Sequence, residues 1–346
     1  MGDLLRVDRV ADVPECAEPL PQATRERREF PLNSIGVPPL ASLGRDDTGE
    51  SLHIHSALNA SSSALLSRYE GVLHTSVRSL GTLRGRVWKL HNGRVSLSDE
   101  YSRQRRWRAW NRIYSVLPDV RGKTILDLGC AIGDQAAELV ARGASVIGID
   151  ANEELLRVAR SRGIGNAEFR SGDLRDLDLA LEADGIWCSF SVAYIANPQR
   201  HLMSWSQRLR PGGWMAVTEI DDLFGHEPLS DRAKSLIGAY ETKALKTGRY
   251  DFRAGRKLQT YLEQAGLAIE SVLVCDDTEL SFDGPATPEV IEAWRDRFAR
   301  MPLLKSLCGD EFDAVRDEFL ACLSMREHRS LAKVYCVVAR YTQPQY

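Results

Sequence analysis

Lys123-Thr124-Ile125-Leu126-Asp127-Leu128-Gly129-Cys130-Ala131-Ile132-Gly133-Asp134 decides how this chain folds. Lys123 to Leu128 reads as a buried strand, an apolar run interrupted by one acid. Gly129, Ala131 and Gly133 then make a turn of small residues, and a helix runs from Asp134 to about Arg142, closed by Gly143. Small residues in such a turn let the backbone approach a ligand closely, and the helix that follows presents free N–H groups.

The same alternation continues downstream. Val146 to Asp150 is a second buried strand, Glu153 to Ser161 a second helix, and Ala167 to Arg170 a third strand leading into Gly172-Asp173. Gly185 to Phe190 is a fourth strand. Asn197-Pro198 starts a helix reaching Leu209, Arg210 to Gly213 is a turn, and Trp214 to Glu219 is a fifth strand. Short apolar strands alternating with helices predict βαβ units and a mostly parallel, doubly wound α/β sheet. Upstream, Ser98 to Val116 reads as one helix rich in aromatics and arginines, stopped by Pro118. Further on, Leu229 to Lys246, Arg256 to Gln264, Pro288 to Arg300 and Phe312 to Leu323 read as helices, and Ile269 to Cys275 and Ala332 to Arg340 as strands.

In an open α/β sheet, ligands bind beyond the carboxyl ends of the strands where the strand order reverses. The residues delivered there are Asp127, Gly129, Ala131 and Gly133 from the first strand, and Asp150 with Ala151 from the second. Asp173 and Leu174 come from the third, and Cys188, Ser189 and Phe190 from the fourth. The Asp150 carboxylate suits two ribose hydroxyls; Asp173 suits an adenine amine, with Leu174 against the ring. The set describes a nucleoside-binding cleft. A nicotinamide-dinucleotide fingerprint also places an acid about 20 residues after its glycines. It calls for glycine at the position of Asp134, however, and has no use for Asp127.

Over residues 100–341 the sequence resembles the class I S-adenosylmethionine-dependent methyltransferases, of the bacterial small-molecule type. The motifs are Ile125 to Asp134, Val146 to Asp150, Gly172-Asp173-Leu174 and Leu209-Arg210-Pro211-Gly212-Gly213. The resemblance implies a seven-stranded Rossmann-like sheet whose last two strands form an antiparallel end, with S-adenosylmethionine as cofactor. It places Asp127 and the glycine turn against the methionine part, Asp150 against the ribose and Asp173 against the adenine. The helix containing Tyr101 often covers the methionine end in this family. Where the family carries glycine this chain has Ala131, a methyl group tolerated at negative φ and crowding the cleft at positive φ.

On the acceptor side His226 is the candidate general base, since an unperturbed imidazole titrates near neutrality. Tyr194, Glu219, Asp221 and Tyr250 are candidate substrate contacts, with Tyr240 and Phe252 as further aromatics. The arginines at 103, 105, 106 and 108 read as a solvated helix face. The helices at 229–246 and 288–328 interrupt the basic fold as lids over a small-molecule acceptor, methylated by in-line displacement. The alternative is a non-catalytic binding or assembly module on the same fold.

The remaining features bound these readings. The 346 residues carry a formal net charge of -3, with 43% hydrophobic and 27% charged residues, which gives no electrostatic reason to expect nucleic acid. No run is long and apolar enough for a membrane span, and no signal peptide is expected. Seven cysteines without a Cys-x-x-Cys pair fit buried thiols in a reducing, cytoplasmic setting, with no metal site. Pro14, Pro19, Pro21, Pro31, Pro38 and Pro39 break up the start of the chain. Residues 1–57 are therefore expected to be a disordered or loosely packed arm. Residues 58–97 are expected to hold a helix and an Asn92-Gly93 hairpin, and residues 98–346 the catalytic domain.

Overall fold

A computed structural model describes residues 90–91, 94–177 and 182–342; the expected N-terminal arm and the helix after residue 58 lie outside them. A two-residue ribbon comes first. β1 (Leu90–His91) pairs antiparallel with β2 (Arg94–Val95). The elements that follow are α1 (Leu97–Gln104), α2 (Trp110–Tyr114), β3 (Thr124–Leu128), α3 (Asp134–Ala141), β4 (Ser145–Asp150) and α4 (Glu153–Ser161). Next come β5 (Ala167–Ser171), β6 (Ala183–Ser189), α5 (Pro198–Ser206), β7 (Leu209–Asp221), β8 (His226–Glu227) and α6 (Asp231–Lys246). The chain ends with α7 (Leu258–Gln264), β9 (Leu267–Cys275), α8 (Pro288–Ala299), α9 (Pro302–Cys308), α10 (Phe312–Leu323), β10 (Arg329–Ser330) and β11 (Lys333–Tyr341).

Seven strands form one sheet in the order β5-β4-β3-β6-β7-β11-β9. The chain steps outward from β3 to β4 and β5, then returns across β3 to build β6 and β7 on its other side, all parallel. That reversal beside β3 opens a crevice at the carboxyl ends of β3, β4 and β6. β11 runs antiparallel to both β7 and β9. The antiparallel end is therefore this one strand, and β9 shares the direction of the first five.

Alternation along β3 sorts the core into two layers. Ile125 faces a cluster that includes Leu139 of α3, Leu156 of α4 and Ile113 of α2. Leu126 and Leu128 face another, closed by Leu202 and Trp205 of α5 and Leu258 and Leu262 of α7. Each such side chain, fully buried, contributes roughly 1.5–3 kcal/mol. At the start of β7, pairing jumps from Ala183–Leu209 to Gly185–Trp214, so the expected turn at Arg210–Gly213 is a bulge within the strand.

The single helix expected at 98–116 is two helices. α1 ends at Gln104, the chain turns, and α2 starts at Trp110. The turn points Arg108 inward to Asp277 at 3.1 Å and Glu279 at 2.9 Å, all nearly inaccessible to solvent. Buried cations need such partners. Arg297 joins the same cluster through Glu279 at 2.7 Å.

The helices expected as lids are present as α6, α8 and α10, with α9 inside the second stretch and the β8–β10 ribbon added to them. Their core is a set of buried aromatics: Phe224, Tyr240, Phe252, Trp294, Phe298 and Phe319. Among the described residues, no helix is long and apolar enough to cross a membrane, and no cluster of His, Cys, Asp and Glu could hold a metal ion.

Candidate functional site

The turn after β3 is built from left-handed backbone. Gly129 has φ +79°, Gly133 has φ +75°, and Ala131 between them has φ +47°. Glycine adopts this region freely; alanine does so at a cost of roughly 1–2 kcal/mol. Ala131 therefore falls in the unfavourable case foreseen for it, and what holds it there is Asp150. One oxygen of that carboxylate accepts the Ala131 N–H at 2.9 Å, and the other accepts the Asn152 N–H at 2.8 Å. The acid at the end of β4 thus ties the β3 turn to the β4 turn, with Ala151 partly exposed between them. At Gly133 a side chain is also sterically barred, because a Cβ would come within 2.8 Å of Phe169 Cζ.

Asp127 lies beneath this turn, buried and close to Asp150. It accepts the Ala136 N–H, while its second oxygen is buried without a partner. Burial, with the Asp150 charge added, pushes its carboxyl up to about 8. A buried carboxyl with an orphaned oxygen suits a cationic group of a ligand, whose charge would restore the ionised form.

The wall opposite the turn comes from α1, the segment leading into α2, and the end of β6. Tyr101 packs on Ala131, Ile132 and Leu155, and its hydroxyl is buried without a partner. Ser189 and Phe190 close the β6 side. Phe190 takes φ +53° under the Arg108 guanidinium, 5.4 Å above its ring, and edge-on to Trp110 at 6.0 Å. Such strain in a bulky residue collects at functional sites. Gln104, Arg108 and Trp110 are additions to the expected site. The basic run hid Arg108, because four nearby arginines resemble a solvated face until the helix breaks.

The other expected site residues fall into three places. Asp173 sits at the rim in a bidentate pair with Arg175, at 2.9 and 2.6 Å. Leu174 is buried, its carbonyl accepting the Trp205 indole N–H at 3.0 Å. Cys188 is wholly buried, which pushes its thiol well up, so it supplies packing.

Glu219 is buried beside the loop that follows β6. One oxygen accepts the Ala193 N–H at 3.0 Å; the other is buried without a partner, and burial pushes the carboxyl up to about 8. Tyr194 and Tyr250 meet edge-on at 4.7 Å, and Tyr250 opens on a cavity of about 270 Å3 together with Asp251, Lys257 and Tyr261.

Three expectations are corrected. His226 is buried among Phe282, Trp294 and Phe319, with its Nδ1 2.9 Å from His328 Nε2. His328 Nδ1 in turn lies 2.8 Å from the Gly284 carbonyl, so the pair forms a relay in which His226 Nδ1 donates. Burial, then His328 and Arg297, bring His226 down to about 3. So weak a base inside the lid core does not serve as the general base. Asp221 is committed to Arg256, which it meets at Nε (2.7 Å), Nη2 (2.6 Å) and the backbone N–H (3.2 Å), so it fixes the turn before α7 and leaves nothing for a substrate. Tyr240 and Phe252, taken as further pocket aromatics, belong to the lid core.

Comparison with known proteins bears on this geometry. A family profile described as "Methyltransferase domain" matches residues 125–213. Trans-aconitate 2-methyltransferase of Mycobacterium tuberculosis is 26% identical over 59% of this chain and 77% of its own length. Ubiquinone biosynthesis O-methyltransferase of Xylella fastidiosa is 29% identical over 44% of this chain and 63% of its own. A solved S-adenosylmethionine-dependent methyltransferase from Mesorhizobium loti covers 67% of this chain and 97% of itself, at 23% identity and a TM-score of 0.41.

Proposed function

We propose that the chain is a class I S-adenosylmethionine-dependent methyltransferase and that it methylates a small molecule seated between the cofactor turn and the wall formed by Tyr101, Arg108, Trp110 and Phe190. The observation that carries this reading is the meeting of the turn at 129–133 with the orphaned Asp127 oxygen at the strand-order reversal. The bound cofactor supplies a methyl group on a positively charged sulfur.

The protein's own residues hold that donor and exclude water. Asp127 would take the ammonium of the methionine part, with the Ala131 to Gly133 backbone beside it. Asp150 would hold the ribose while keeping the turn in place. Asp173 and Leu174 would receive the adenine. Ser189, Phe190, Tyr101 and Tyr194 would lie on the acceptor side of the donor.

In-line displacement asks the protein chiefly for alignment of donor and nucleophile. Glu219 contributes by fixing the loop at 192–194 through its backbone N–H groups. The names of the relatives speak of trans-aconitate and of ubiquinone biosynthesis, which is small-molecule chemistry and supports an acceptor of that kind.

The test is transfer of label from methyl-tritiated S-adenosylmethionine to fractionated extract of the source cells. Label in the low-molecular-weight fraction is expected. Label confined to the protein or nucleic-acid fraction contradicts the small-molecule acceptor.

A further inference from the structure

The break between α1 and α2 redistributes the arginines of the basic run. Arg105, Arg106, Arg108 and Arg112 line one cavity of about 360 Å3. It shares Arg105, Arg108, Trp110 and Asp134 with the smaller cleft over the turn at 129–133, so the two form one passage.

The charge of this passage is one-sided. Both acids on its wall are already paired: Asp134 is held by Arg162 at 2.8 Å and meets Arg105 of the passage at 3.5 Å, and Glu138 is held by Arg142 at 2.9 Å. Arg106 and Arg112 have no ion-pair partner among the described residues, and both are exposed. Arg108, only 2% exposed, meets Asp277 through Nη1 and Glu279 through Nη2, which leaves further N–H groups of its five. Trp110 Nε1 and the Tyr101 hydroxyl add two buried groups without partners on the same walls. The lining therefore presents donors and positive charge. It includes no histidine and no unpaired carboxylate to take a proton.

We propose that the acceptor is a small acid with at least two anionic groups, methylated on a carboxylate oxygen held at Arg108, while its second anionic group sits among Arg105, Arg106 and Arg112. This rests on the methyltransferase reading above. A carboxylate is ionised at neutral pH, so the chemistry needs no base. A lone pair of the carboxylate oxygen forms the bond to the methyl carbon. The carbon–sulfur bond breaks with its electron pair staying on sulfur, which becomes a neutral thioether. The products are a methyl ester and S-adenosylhomocysteine, and no proton moves. Arg108 is then the specificity-determining residue, through the N–H groups that Asp277 and Glu279 leave over. The second group is a carboxylate or a phosphate, both of which suit the outer arginines.

The test is calorimetric titration of the full chain saturated with S-adenosylhomocysteine. The probes are tricarballylate, its trimethyl ester and pyrophosphate. The variants are Arg106→Glu/Arg112→Glu and Arg106→Lys/Arg112→Lys, whose exposed positions leave folding intact. The expected result is binding of at least one anion in the millimolar range or tighter, with no binding of the ester. The Glu pair should weaken the anion about tenfold or more and the Lys pair much less, in line with a Coulombic contribution. S-adenosylhomocysteine affinity should stay unchanged in both variants. Stronger tricarballylate binding names a carboxylate as the outer group, and stronger pyrophosphate binding names a phosphate. Equal binding of acid and ester, or no anion bound at millimolar concentration while S-adenosylhomocysteine binds, overturns the proposal. Failure of S-adenosylhomocysteine itself to bind removes the methyltransferase reading beneath it. A second readout is chemical, since a labelled methyl ester releases methanol in alkali; label that survives alkali overturns the carboxylate nucleophile.

Discussion

Asp127→Asn should stabilise the ligand-free protein at neutral and alkaline pH, although it removes the most characteristic acid of the site. The carboxyl rises from 3.8 in the unfolded chain to about 8 in the folded one. Between those values the native state holds a proton that the unfolded state has released, so stability falls as pH rises through that window. At about 1.4 kcal/mol for each unit, the order of magnitude is 4 kcal/mol of lost stability at pH 7. The contribution is fully present below pH 3.8 and lost as pH rises to about 8. Asparagine keeps the shape and the acceptor for the Ala136 N–H, carries no charge, and so escapes the loss. Urea unfolding of both proteins at pH 5, 7 and 8 measures it. The gain from Asp127→Asn should be small at pH 5 and grow to several kcal/mol at pH 8, by order of magnitude. A gain that does not change with pH, or a loss at pH 8, would refute the argument that burial and Asp150 make this carboxylate costly.

Four further outcomes follow from the same structure. Ala131→Gly relieves the φ +47° alanine, and thermal melting should show a gain of up to about 1 kcal/mol, the left-handed cost offset in part by chain entropy. Gly133→Ala combines positive φ with the Phe169 contact and should cost about 2 kcal/mol or more, read from the same melts, with weaker cofactor binding. His226→Gln should cost stability yet leave S-adenosylhomocysteine affinity within about twofold, since the ring lies in the lid. The His226 imidazole is brought down to about 3, so it stays neutral when folded and its stabilisation is lost as pH falls from 6.5 to about 3; His226→Gln should flatten that part of the pH–stability curve. Glu279→Gln strips charge from beside both Arg108 and Arg297 and should cost about 3–5 kcal/mol in urea unfolding, the usual result of orphaning a buried cation.

What could be read in advance followed the range of the interactions involved. Strand–turn–helix units rest on local patterns of apolar spacing, glycine and capping, so β3 through β7 and the positions of Asp127 and Asp150 were legible. The sheet's far end was legible as strands, although not the direction of β9, which depends on pairing across the chain. The helix at 98–116 misled because its periodicity is continuous; the break is imposed by Asp277 and Glu279, more than 150 residues away. The same distant pair turned Arg108 from an expected surface charge into a wall of the cleft. His226 was placed correctly after β7, whereas Asp221 is the last residue of that strand, and the roles of both depend on His328 and Arg256, partners that local spacing does not reveal.

That Asp127 meets a cationic cofactor is tested most directly by calorimetric titration of S-adenosylmethionine in two buffers of different ionisation enthalpy. At pH 7 the free protein holds Asp127 largely protonated, and the ammonium of the cofactor should drive that proton off. Saturable binding with close to one proton released is expected, and in Asp127→Asn weaker binding with no such release. Absence of binding, or identical proton release in both proteins, would contradict it.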